Sequence, residues 1–134
     1  MYLLDTVVLS ELRKTVRNPG VSAWIADKKD SELFLSVISI GEIARGIERQ
    51  TRQAPDFAGR LQLWLERLLF VYRDRILPVD IQTARRWGLL SSQVGNSGPD
   101  ILLAATALER DLSIVTRNER HFTATGVQTH NPWV

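Results

Sequence analysis

Cysteine is absent from the 134 residues, which excludes disulfide bridges and thiolate metal sites. Long apolar runs are absent too. No stretch approaches the ~20 residues needed to cross a bilayer, so no membrane association is expected. The first acid, Asp5, comes after only four residues. That leaves no basic n-region or apolar h-region of a secretory signal, and a cytoplasmic location is expected. Lysine is scarce, with 3 residues against 14 arginines. Arginine grips phosphate in a planar bidentate geometry, which suits RNA, although codon bias yields the same preference. The net charge of +2 is too small to argue for a nucleic-acid partner by itself. Lys28-Lys29, Arg85-Arg86 and Arg117/Arg120 fit a solvated face as readily as a phosphate track. What is present is ordinary for a soluble globular protein: 44% apolar and 24% charged residues. The length fits one domain over residues 1–134 with one sizeable core.

Four short apolar segments read as strands: Tyr2–Leu4, Leu33–Ser36, Ile76–Val79 and Ser113–Thr116, with a weaker fifth at Val127–Thr129. Helical patterns lie between them. Phe57, Leu61, Trp64, Leu65 and Leu68 recur at helical spacing, and Ile40, Ile43 and Ile47 form a second stripe. Ile101 to Leu108 is apolar almost throughout, as a helix buried against a sheet would be. Pro19-Gly20, Pro55, Pro78 and the cluster Asn96-Ser97-Gly98-Pro99 punctuate the segment ends. Strands alternating with helices predict an α/β fold: a three-layer α/β/α sandwich with a mainly parallel sheet of four to five strands. Residues 38–70 hold two helical patterns with no strand between them, which predicts a helical pair on one side of the sheet. Gly41 and Gly46 read as packing glycines.

In an open parallel sheet, ligands bind at the carboxyl ends of the strands. Asp5 ends the first strand, Glu42 follows the second, Asp100 heads the buried helix, and Asn118 comes just after the Ser113–Thr116 strand. Carboxylates gathered on that edge would make a site for Mg²⁺ or Mn²⁺, which prefer hard oxygen ligands. Such an ion activates water and stabilises a leaving oxygen in phosphodiester hydrolysis. Each residue also has a plain structural explanation. Asp5 or Thr6 can cap a helix. Ser39-Ile40-Gly41-Glu42 fits a capping box, and Ser97-Gly98-Pro99-Asp100 resembles one. Asn118 can be a turn residue.

In this order and spacing, Leu3–Leu12 (LLDTVVLSEL), Ser36–Ile47 (SVISIGEIARGI), Pro99–Leu108 (PDILLAATAL) and Val115–Phe122 (VTRNERHF) resemble the PIN-domain family. The likeness extends to VapC-type toxins of the FitB-like branch, whose chains often close with an Asn-Pro-Trp such as Asn131-Pro132-Trp133. It covers essentially the whole chain. The resemblance implies an endoribonuclease that cleaves RNA with metal-activated water and Mg²⁺, Mn²⁺ being possible, as the toxin of a type II toxin–antitoxin system. Asp5, Glu42 and Asp100 match the family's core acids and metal ligands. Asn118 falls at a further, usually acidic, catalytic position, and Thr6 and Thr116 match supporting hydroxyls. Asn118 in place of an acid weakens the case for a second ion, and Val7 replaces a frequent Asn. The family also implies a cognate VapB-like antitoxin, DNA contact only through that antitoxin, and a homodimer. Trp64 with Leu61, Leu65 and Leu68 fits either a partner groove or ordinary core.

Other classes fit less well. A dehalogenase-like phosphoacceptor needs a second acid where Val7 stands, and a receiver domain needs a late lysine, whereas Lys29 is the last in the chain. A catalytically inactive PIN-like module that binds protein or RNA is compatible with Asn118. His121 and His130 read as surface or core residues, and no Ser/His/Asp pattern or Gly-rich phosphate loop is evident.

Overall fold

The computed structural model describes every residue from Met1 to Val134. Five parallel strands form its centre: β1 (Tyr2–Leu4), β2 (Leu33–Ser36), β3 (Ile76–Leu77), β4 (Ser113–Val115) and β5 (Thr129–His130). Their spatial order is β3-β2-β1-β4-β5. Six helices connect them: α1 (Thr6–Arg13), α2 (Pro19–Asp27), α3 (Val37–Gln53), α4 (Pro55–Val71), α5 (Ile81–Val94) and α6 (Pro99–Glu109). β1 pairs Leu3 with Phe34 on one side and with Ile114 on the other. From this central strand the chain runs outward first to β2 and later to β4. The β1/β4 boundary is therefore a topological switch point, where a crevice opens at the strand ends.

Successive residues along a strand face opposite layers. Leu3 and Ile114 point into a layer closed by α5 and α6, with Leu90, Ile101, Leu103 and Phe122. Leu4, Leu33, Leu35 and Val115 point into a second layer with Val8 and Leu9 of α1, Val21 of α2, Ile43 and Ile47 of α3, and Leu65 of α4. The core is thus two layers of 12 and 11 buried residues rather than one, because a sheet covered on both faces divides it. Strands buried on both faces read as continuous apolar runs, which is why Tyr2–Leu4 and Leu33–Ser36 have their predicted bounds. The α3–α4 pair packs on one side as expected.

Several local expectations change. The third strand stops at Leu77, because Pro78 cannot donate to the ladder. The fifth is Thr129–His130, displaced from Val127–Thr129 after Gly126 turns the chain in the left-handed region at φ 77°. Ser39 is not the cap of α3. Ser36 is, accepting from the Ile38 N–H at 3.0 Å, while the Ser39 hydroxyl is buried without a partner. Gly98 caps α6 with no side-chain bond, so the box proposed at Ser97 does not form. A Cβ at Gly41 or Gly46 would meet nothing within 4 Å, so neither is a packing glycine. No helix is long and apolar enough to cross a membrane.

Gly20 is the glycine that packing requires. A Cβ there would collide with the Pro132 carbonyl oxygen and approach the Val134 methyls at 2.9 and 3.0 Å. Asn18 fastens the same C-terminal segment: its Nδ2 donates to the Val134 carbonyl at 3.0 Å, and its Oδ1 accepts the Val134 N–H at 3.3 Å. Gly→Ala in a helix normally gains up to ~1 kcal/mol. Here the overlap reverses the sign, and Gly20→Ala should destabilise the fold by about 1–3 kcal/mol in urea titration.

Candidate active site

The site is assembled around one junction. β1 ends at Leu4, and Asp5 turns the chain into α1 with extended backbone. One oxygen of Asp5, Oδ1, accepts the Thr6 N–H at 2.7 Å and so caps the helix. The other, Oδ2, accepts the Thr116 hydroxyl at 2.8 Å, just past β4. The Thr116 oxygen in turn accepts the Asn118 backbone N–H at 3.0 Å. From the other side, the Thr6 hydroxyl donates to Glu42 Oε1 at 2.7 Å, linking α1 to the second turn of α3. Thr116 therefore ties the end of β4 to Asp5, and Thr6 bridges Asp5, through its N–H, to Glu42, through its hydroxyl. Capping does not exclude a place at the sheet edge: the same Asp5 side chain caps α1 and bonds Thr116 at the end of β4.

Asp5 is 7% exposed. Burial pushes its carboxyl above the ordinary value. The hydrogen bonds from Thr116 and Thr6 pull it down, and the charges of Asp100 and Glu42 add to the rise. Mutual repulsion of the acids is thus real, but desolvation dominates. Asp100 lies in the first turn of α6, half-buried, with Oδ2 at 3.1 Å from His121 Nδ1. Glu42 is exposed, and Asn118 is half-buried with its side-chain amide engaged by no hydrogen bond. The chain thus carries Asp5, Glu42, Asp100 and Asn118 to one edge of the sheet. It does not gather three His, Asp or Glu side chains closely enough to hold one ion. This donor set fits Mg²⁺ bound through one or two carboxylates and completed by waters and substrate phosphate, which is the usual habit of that ion. It does not fit an all-protein cage of three carboxylates.

His121 is a surface residue, as expected: its side chain is 57% exposed, with Asp100 as its neighbour. It lies on the short 3-10 turn Glu119–His121 that begins directly after Asn118. His130 has no such place; it stacks on Trp24 with centroids 5.5 Å apart. The apolar residues of α4 divide. Leu65 is core and Leu61, Trp64 and Leu68 pack against it partly buried, while Leu61 and Trp64 also line a shallow groove with Ile43, Ile47 and Phe57 between α1, α3 and α4.

A sequence profile of the PIN domain matches residues 2–127. The chain belongs to the PIN-domain family. Among similar PIN proteins is one named VapC ribonuclease from Sinorhizobium fredii, 32% identical over 99% of this chain and 98% of its own length. Toxin FitB from Neisseria gonorrhoeae is 30% identical over 99% of both chains. The crystal structure of FitAcB from Neisseria gonorrhoeae superposes with a TM-score of 0.88 at 31% identity, covering 99% of each chain. The structure of FitAB bound to a DNA fragment superposes at 0.82 with 28% identity, over 100% of this chain and 96% of that one. The predicted α/β/α sandwich and the VapC-type likeness hold.

The raised pKa of Asp5 sets a sign for stability against pH. The folded state keeps this proton to higher pH than the unfolded chain does, so unfolding releases it and stability falls as pH rises. The loss begins at the ordinary carboxylate value and is complete once pH exceeds the folded value. In metal-free buffer, Asp5→Asn should therefore gain in melting temperature relative to the parent protein across that interval. A constant difference from pH 3 to pH 7 would contradict the burial argument.

Proposed function

We propose that this chain is an Mg²⁺- or Mn²⁺-dependent endoribonuclease, the toxin of a type II toxin–antitoxin pair. The observation that carries the reading is the desolvated Asp5 carboxylate at the sheet's switch point, threonine-latched, with Asp100 and Glu42 adding charge. It stands in a PIN chain aligned end to end with a protein named VapC ribonuclease. In this reading Asp5 and Asp100 would hold the ion directly, and Glu42, whose Oε1 accepts the Thr6 hydroxyl, would take the supporting acidic role beside them. When bound, the ion supplies Lewis acidity and an activated water for attack on phosphorus. Thr116 keeps Asp5 in one rotamer by donating to it, and Thr6 does the same for Glu42. Asn118 brings an oxygen without charge, so one resident ion is the economical stoichiometry. RNA is the substrate, and the cytoplasm is the expected compartment.

FitAB is a two-protein complex with DNA bound in one structure. By analogy, a VapB-like antitoxin is this chain's partner, DNA is reached through it, and the toxin pairs as a homodimer. The groove of Leu61 and Trp64 gives an apolar segment of that antitoxin a place to lie.

Binding of a cation beside the desolvated Asp5 carboxylate would stabilise the folded state by mass action. Mg²⁺ or Mn²⁺ should raise the melting temperature, and Asp5→Asn should shrink that response. Asp100→Asn should cut single-turnover cleavage of an unstructured oligoribonucleotide by roughly 10²-fold or more, the scale for losing one electrostatic contributor to a transition state. Equal cleavage by the parent and Asp100→Asn proteins would assign the activity to contamination. The chain would then be a catalytically inactive PIN-like binding module, as Asn118 permits.

A further inference from the structure

The C-terminal Asn131-Pro132-Trp133 has no task in the chemistry above, yet the fold spends close contacts to fix it. The Trp133 N–H donates to Asn131 Oδ1 at 3.0 Å, and the segment is held against the start of α2 by Asn18 and the missing side chain of Gly20. The Trp133 ring packs partly into the core layer beneath α1 to α4. Over it lies the Arg117 guanidinium, 5.7 Å from the ring centroid. Arg117 comes directly after Thr116, the residue that donates to Asp5.

Between α1 and this pair runs a groove of about 430 Å³, lined among others by Thr6, Lys14, Arg117, Asn118 and Trp133. It adjoins the carboxylates through two of its lining residues: Thr6 donates to Glu42, and the Asn118 N–H donates to Thr116, which holds Asp5. Its charge is unevenly committed. Lys14 is paired with Glu11 at 2.9 Å. Glu11, nearly enclosed, is held ionised below its ordinary range by the Asn18 N–H and by Lys14. Arg117 forms no close ion pair and donates no hydrogen bond, though its charge adds weakly to the field on Glu11; it is an exposed cation propped on an indole. Arginine in that position offers a planar, bidentate donor fork to phosphate.

An acidic centre repels the polyanion it is to cut, so a strand entering it needs a cation beside the scissile phosphate. We infer that this groove is a subsite for one nucleotide of single-stranded RNA next to the scissile bond. Arg117 grips its phosphate, and Trp133 is a positioning residue that holds Arg117 in place. The inference rests on the ribonuclease reading. It favours RNA over an acidic peptide because the groove lies next to the carboxylates, through Thr6 and Asn118, and is large enough for one nucleotide.

The test measures binding in the cleavage-impaired Asp100→Asn background, by anisotropy of a labelled single-stranded oligoribonucleotide with Mg²⁺ over a salt series. Arg117→Gln should weaken binding about tenfold and lower the salt slope by about one, as loss of one phosphate contact requires. Arg117→Lys should restore the slope and part of the affinity. Trp133→Phe should cost affinity when Arg117 is present and nothing when it is already Gln, a coupling that general loss of structure would not produce. Melting temperatures of the five proteins check folding, with Phe chosen over Ala to keep a ring in the core. With Asp100 intact, the Arg117→Gln effect should appear in KM rather than kcat. An unchanged affinity and slope in Arg117→Gln would overturn the subsite while leaving Mg²⁺-dependent cleavage, and its loss in Asp100→Asn, as separate support for the nuclease. Normal RNA binding by Arg117→Gln with loss of a co-purified partner protein would give the groove to that partner and overturn it equally.

Discussion

The hydrogen bond from Thr116 to Asp5 is the contact on which the site depends. It crosses the β1/β4 boundary and joins residues 111 positions apart in sequence. Without it, the carboxylate that opens α1 would be only a helix cap. With it, the two strand ends share one polar centre inside a largely apolar sandwich. Burial makes the charged form of Asp5 costly, and although two donors offset part of that cost, its carboxyl stays above the ordinary value. The sheet provides the rigidity for this. Both its faces are covered, and the strands that carry the junction are almost fully enclosed.

The same arrangement distributes roles by layer. α1 and α3 lie on one face of the sheet and meet at the Thr6–Glu42 bond, while α6 lies on the other face and brings Asp100 to the edge from behind. An edge reached from both layers can collect acids that no single helix could place together. The turn after β4 then contributes Arg117, Asn118 and His121 within five residues. Negative charge thus lies at the strand ends, with cationic and amide groups along one flank. That polarity suits a polyanionic strand entering from the side.

Much of the architecture was legible in the amino-acid order. Tyr2–Leu4 and Leu33–Ser36 were readable because strands buried on both faces leave an unbroken apolar signature. α6 was readable because six of its residues are buried. The start of α3 was misread because Ser36 and Ser39 both precede plausible helical registers, and only backbone hydrogen bonding selects Ser36. Gly41 and Gly46 were misread for a related reason: a small residue looks like a close approach until the space beside it is seen. The closeness of His121 to Asp100, 21 residues earlier, is not legible in the sequence, because no local pattern records a contact between the turn after β4 and the start of α6.

Sequence alone determined the alternation of strands and helices, the acids at their junctions and the hydroxyls beside them, since these follow from local periodicity and short-range chemistry. Tertiary structure alone decided how tightly those groups converge, which of them are desolvated, and that Arg117 rests on a tryptophan at the far end of the chain. Convergence is set by strand order and by packing between layers, quantities that exist only once distant segments share a sheet.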